Sequence, residues 1–133
     1  MNKMDRDLVL CVDDETTLLG TFPIMLGRAG FRVAVAADGA AGLEAFLRLR
    51  NEVCVVLADI VMPAMNGIDM AETILLLEPQ TKILLMSAYS DRAIGPLVRR
   101  RRFPLFRKPF NYTKLIEEIR STVGVPEAAT AAH

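Results

Sequence analysis

Residues 53–67 read Val53-Cys54-Val55-Val56-Leu57-Ala58-Asp59-Ile60-Val61-Met62-Pro63-Ala64-Met65-Asn66-Gly67: an unbroken apolar run, a carboxylate, then a loop marked by Pro and Gly. An apolar run with no polar alternation is a strand buried on both faces, which signals a parallel sheet covered by helices. A carboxylate at the end of such a strand stands at the rim of the sheet, where open α/β folds place their ligands. Three further runs end in polar residues. Leu8-Val9-Leu10-Cys11-Val12 leads into Asp13-Asp14-Glu15. Lys82-Ile83-Leu84-Leu85-Met86 leads into Ser87, and Phe103-Pro104-Leu105-Phe106 into Arg107-Lys108-Pro109-Phe110.

Working outward, strand patterns at 7–12, 31–36, 53–58, 82–86 and 103–106 alternate with helix patterns at 15–29, 39–50, 67–77, 91–102 and 111–123. Five such units make a three-layer, doubly wound α/β sandwich. Gly30 stands where a helix-terminating glycine belongs, and Asn111 where a cap for the last helix belongs. Pro23 falls inside the first helix and should kink it near Leu19. Gly95-Pro96 should shorten, bend or restart the fourth. The expected domain spans 1–123, with 124–133 a flexible tail.

The 133 residues suit one domain, and 52% hydrophobic composition is ample for its core. No apolar run approaches the ~20 residues that cross a membrane. The N-terminus lacks the apolar segment of a secretory signal, so a cytoplasmic location is expected. Cys11 and Cys54 lie in strands and read as reduced, buried thiols. The only histidine is His133, too little for a thiol or imidazole metal centre. The methionines around the loop read as packing. Net charge is zero, which gives no nucleic-acid footprint. The charge is unevenly spread: residues 1–81 carry 12 acids and 6 bases, residues 82–133 carry 4 acids and 10 bases. Seven of those bases lie between Arg92 and Lys108, which reads either as a solvated face or as a docking surface for an acidic partner.

Asp13, Asp14 and Asp59 at the ends of two strands would form a partial oxygen cage suited to a hard cation such as Mg²⁺. The bland alternative for Asp13, Asp14 and Glu15 is a set of acids favoured by a helix dipole.

The order Asp13-Asp14, Asp59 with Met62-Pro63-x-Met65-Asn66-Gly67, Ser87-Ala88 and Lys108-Pro109-Phe110 resembles the receiver domain of two-component response regulators, over roughly residues 7–123. The resemblance implies a parallel sheet of order 2-1-3-4-5 and a cis Lys108–Pro109 bond. It implies Asp59 as phosphoacceptor, with Asp14, Asp59 and the backbone carbonyl of Val61 as direct Mg²⁺ ligands and Asp13 acting mostly through water. Lys108 would hold a phosphoryl oxygen by charge, and Ser87 would donate its hydroxyl to another after shifting inward. The donor would be a phosphohistidine on a sensor histidine kinase or a phosphotransfer domain. A downstream protein would dock near residues 92–107, the chain being a monomer or weak homodimer that does not itself bind nucleic acid. Such a protein is a switch, not a metabolic enzyme, although it catalyses its own phosphorylation and dephosphorylation.

One departure stands out. Receivers carry an aromatic three residues before the lysine; here that position is Leu105, and Phe106 should face the other side of the sheet. The chain could equally be the receiver piece of a hybrid sensor kinase. A receiver-like interaction module without phosphotransfer is the rival reading. A flavodoxin-like cofactor binder would need a phosphate-binding loop where Asp13-Asp14-Glu15 stands.

Overall fold

The computed structural model describes residues 6–88, 103–109 and 111–123. In chain order the elements are β1 (Leu8–Val12), α1 (Thr16–Arg28), β2 (Arg32–Ala36), α2 (Gly39–Leu49), β3 (Val53–Asp59), α3 (Gly67–Leu77), β4 (Lys82–Ser87), β5 (Leu105–Arg107) and α4 (Tyr112–Val123). The fourth helix pattern, with Gly95-Pro96 and most of the basic stretch, lies outside the described residues, as does the tail from 124.

Every strand pairing is parallel and the order is β2-β1-β3-β4-β5, as the resemblance implied. The continuous apolar strands divide between two cores, because successive side chains leave a strand on opposite faces; the alternation slips once, at Cys54–Val55, where the β1–β3 register shifts. Leu8, Leu10, Val12, Val56, Ala58 and Leu85 join Phe46 of α2 and Ile68, Met70 and Ile74 of α3. Val9, Cys11, Val55, Leu57, Leu84 and Met86 join Phe22 and Leu26 of α1 and Leu115 and Ile119 of α4. Leu105 and Phe106 follow the same rule, one packing on each core.

Local signals explain most boundaries. Gly30 has φ +98°; its N–H donates to the Gly27 carbonyl (3.0 Å) and the Phe31 N–H to the Leu26 carbonyl (3.1 Å). This paired closure of a helix end requires the left-handed residue that glycine supplies without strain. Asp38, Asn66 and Asn111 cap α2, α3 and α4 by accepting from Ala41, Asp69 and Lys114 N–H groups at 2.7, 2.8 and 3.2 Å. Helix α1 continues through Pro23, which is exposed. Two details differ from the sequence reading. Strand β5 begins at Leu105 rather than 103, because Pro104 has no N–H to give the ladder. Its carbonyl still accepts from Leu85 N–H (2.9 Å). Cys54 is half-buried, not buried like Cys11. Burial pushes the Cys54 thiol up to about 11, so it stays protonated at neutral pH.

Gly67 answers to a packing demand. A Cβ there would stand 2.2 Å from the carbonyl oxygen of Asp59. Its N–H donates to the Ile60 carbonyl at 2.8 Å, so α3 starts in direct contact with the end of β3. Gly67→Ala should destabilise the protein by ~2–4 kcal/mol, since backbone must move. Gly20→Ala, on the exposed side of α1 with nothing within 4 Å of the new methyl, should stabilise it by ~0.5–1 kcal/mol. Urea unfolding of both variants checks the pair; equal effects would refute the assigned role of Gly67.

Candidate functional site

The chain leaves β1 toward β2 on one side and reaches β3 on the other. The carboxyl ends of β1 and β3 therefore border the crevice where the winding reverses. Asp13 follows β1 directly. Its N–H donates to the Ala36 carbonyl (3.1 Å), and its side chain is fully buried. Asp59 ends β3, with its position fixed by Gly67 below and by the Ile60 N–H donating to the Met86 carbonyl (2.9 Å). Lys108 arrives from the end of β5, where its N–H donates to the Ser87 carbonyl at 2.9 Å. The Lys108–Pro109 bond that follows is cis.

These three residues meet. The ammonium of Lys108, only 10% exposed, donates to Asp13 Oδ2 at 2.6 Å and to Asp59 Oδ2 at 3.2 Å. The other oxygen of Asp13 accepts from the Glu15 N–H (2.8 Å). Val61 N–H faces Asp59 Oδ1 at 3.4 Å, a long contact. Asp14 is exposed at the rim, and Glu15 Oε1 lies 3.7 Å from the ammonium. Three carboxylates thus lie within 4 Å of one cation, with Asp14 at the rim of the cluster. Burial raises the Asp59 pKa to about 6; Lys108 pulls against that rise and the charge of Asp13 adds to it. Burial works against the Lys108 charge, yet the hydrogen bond to Asp13 and the charges of Asp59 and Asp13 leave its pKa above the ordinary value.

A cleft of about 420 Å³ opens over this cluster, lined by Asp14, Glu15, Asp59, Val61, Met62, Pro63, Ala88 and Lys108. One oxygen each from Asp13, Asp14 and Asp59 lies within 4.8 Å of the others. Three hard oxygen donors, Asp14 and Asp59 on the cleft and Asp13 buried behind them, carry more negative charge than Lys108 offsets and fit a Mg²⁺ ion that keeps part of its water. Val61 lines the same cleft. Ser87 is fully buried at the end of β4, and Ala88 rather than Ser87 lines the cleft. Met62 packs into the core and Met65 leans on Gly39 at the start of α2, so the loop methionines are packing residues.

The structure therefore brings Asp13, Asp14, Asp59 and Lys108 together, with Val61 beside them and Ser87 behind. Two further residues belong to the site without a signal in the sequence that says so. Gly67 reads in the sequence as a turn, and only the contact with the Asp59 carbonyl reveals its task. Glu15 reads as a helix-start acid, whereas its side chain makes no capping bond and lies beside Lys108.

Residues 9–120 match the family of response regulator receiver domains, and the chain belongs to that family. It is 32% identical over 117 residues to the DNA-binding response regulator MtrA of Mycolicibacterium paratuberculosis, covering 87% of this chain and 51% of that protein. It therefore spans about half the length of that relative. It is 30% identical over 113 residues to the chemotaxis protein CheY of Thermotoga maritima, covering 84% of this chain and 92% of that one. Among solved structures it is similar to the response regulator TrrA of Thermotoga maritima in complex with Mg²⁺-BeF. The TM-score is 0.76 at 26% identity, covering 87% of this chain and 98% of that one. Among the described residues no helix is long and apolar enough to cross a membrane.

The raised pKa of Asp59 has a thermodynamic sign. Folding favours its protonated form, so this contribution to stability is present below the ordinary carboxylate pKa and is lost as pH rises through about 6. Asp59→Asn should therefore be more stable than wild type in metal-free buffer at pH 7.5, by ~1 kcal/mol after discounting ~1.4 kcal/mol per unit for solvent in the cleft. The difference should close toward pH 4. Denaturation of both proteins at the two pH values checks this; a gap that does not change with pH would refute it.

Proposed function

We propose that the chain is a phosphorylatable switch that accepts a phosphoryl group onto Asp59 from a phosphohistidine on a sensor histidine kinase or a phosphotransfer domain. The observation that carries this reading is the buried Asp59 carboxylate held 3.2 Å from Lys108, within a cluster of oxygen donors that fits Mg²⁺. An oxygen of Asp59 attacks phosphorus, the P–N bond to the donor histidine breaks, and its electron pair leaves with the imidazole, which takes up a proton. Asp59 must be ionised to attack. With a pKa of about 6 it is so at neutral pH, and it is more basic than a surface aspartate. Lys108, already poised between Asp13 and Asp59, exchanges a carboxylate oxygen for a phosphoryl oxygen with little motion. Much of the rate enhancement then comes from positioning and charge neutralisation.

Asp13, Asp14, Asp59 and the Val61 carbonyl would hold the Mg²⁺, which when bound offsets the charge of the incoming phosphoryl group. The Mg²⁺-BeF complex of TrrA, a protein 26% identical to this one, supports that assignment. Ser87 would donate to a phosphoryl oxygen, and from its buried position it has to move toward the cleft to do so. That movement, together with changes around the basic stretch 92–107, would alter the surface offered to a downstream protein. Arg107, exposed at the end of β5, is the described member of that stretch nearest the site.

Incubation with acetyl phosphate and Mg²⁺ should add one phosphoryl mass to the wild-type protein. Asp59→Asn should abolish the gain and EDTA should prevent it. An unchanged mass with Mg²⁺ present would favour an interaction module without phosphotransfer.

A further inference from the structure

Glu15 occupies the N-cap of α1, where serine, threonine, aspartate or asparagine serve best, and its side chain makes no capping bond. A capping bond therefore does not account for a glutamate here, and the helix dipole would be served equally by a shorter acid that also caps. Its main chain is nonetheless firmly placed. The N–H donates to Asp13 Oδ1 at 2.8 Å, and the carbonyl accepts from the Leu18 and Leu19 N–H groups at 3.1 and 3.2 Å. From that anchored backbone the half-exposed side chain lines the cleft and puts Oε1 3.7 Å from the Lys108 ammonium. An ammonium has three N–H donors. Asp13 and Asp59 take one each, and the third has Glu15 as its neighbour toward the cleft mouth.

We propose that Glu15 is a positioning residue that sets how strongly the cleft binds a phosphoryl group, by competing with phosphoryl oxygens for Lys108. The proposal rests on the reading of Asp59 as phosphoacceptor. Any anion attached to Asp59 enters a cleft whose lining offers Lys108 as its only cation among the described residues. Glu15 opposes that anion twice, by its own attraction on the ammonium 3.7 Å away and by its own negative charge. It also adds an acid to the edge of the metal cluster, so the same carboxylate favours the cation and disfavours the phosphoryl group. Because the side chain is 55% exposed, its influence is screened by salt, unlike that of the buried Asp13–Lys108–Asp59 contacts.

Beryllofluoride with Mg²⁺ is the probe, titrated into wild type and Glu15→Gln, with Mg²⁺ alone titrated in parallel. At low ionic strength Glu15→Gln should bind beryllofluoride about three- to fivefold more tightly, the range of an exposed ion pair. The gain should shrink toward unity in 1 M salt, Mg²⁺ affinity should not rise, and the melting temperature should be unchanged. Equal beryllofluoride affinities at low salt would overturn the proposal while leaving the phosphoacceptor reading intact. A gain that ignores salt, or one accompanied by a lower melting temperature, would also overturn it, because Glu15 would then act through structure. If neither protein binds beryllofluoride, the phosphoacceptor reading falls and the proposal with it.

Discussion

One ammonium shared by two buried carboxylates is the constraint around which this domain is arranged. Asp13 and Asp59 come from different strands, 46 positions apart in sequence, and each would be costly to bury as an isolated charge. Lys108, from a third strand, makes their proximity tolerable, and removing it would leave an uncompensated pair worth on the order of 3 kcal/mol or more of destabilisation. The arrangement remains under-neutralised. Asp14 and Glu15 add two more acids at the rim, and burial with the charge of Asp13 keeps the Asp59 pKa raised despite Lys108. A cleft with surplus negative charge and hard oxygen donors suits a cation, and the proposed phosphoryl group would enter beside that cation.

The fold supplies the positions. A parallel sheet directs all five strand ends to one edge, and the reversal of winding between β1 and β3 opens that edge into a crevice. The tight start of α3 then fixes the last residue of β3. Gly67 touches the Asp59 carbonyl and bonds the Ile60 carbonyl, so the carboxylate sits on rigid backbone rather than on a free loop. On the other side, Asp13 is tied to β2 through the Ala36 carbonyl and to α1 through the Glu15 N–H. The clustered groups are thus held from both halves of the sheet, as the phosphoryl transfer proposed for them would require.

Much of this was legible in the sequence because it is written in periodicity and punctuation. Apolar runs with no alternation gave a two-faced parallel sheet, and the acids and lysine at the run ends gave the cluster. Asn111 and Gly30 marked helix ends by side-chain and backbone chemistry that acts locally. The parts that escaped depend on distant contacts. Gly67 looks like any turn glycine until the Asp59 carbonyl is seen 2.2 Å from its absent Cβ. Glu15 looks like a helix-start acid until Lys108, 93 residues later, is placed beside it. Pro104 delayed β5 because the apolar run Phe103–Phe106 hides the missing N–H. The strand order itself came from the family resemblance, since spacing alone is silent on it.

On this reading Lys108 and a bound divalent cation would perform the same neutralising task on one cluster. The decisive measurement is thermal unfolding of wild type and Lys108→Met at pH 7.5, each in EDTA and in millimolar Mg²⁺. Lys108→Met should be clearly less stable in EDTA, and Mg²⁺ should raise its melting temperature by more than it raises that of wild type. Equal responses to Mg²⁺, or none in either protein, would contradict it.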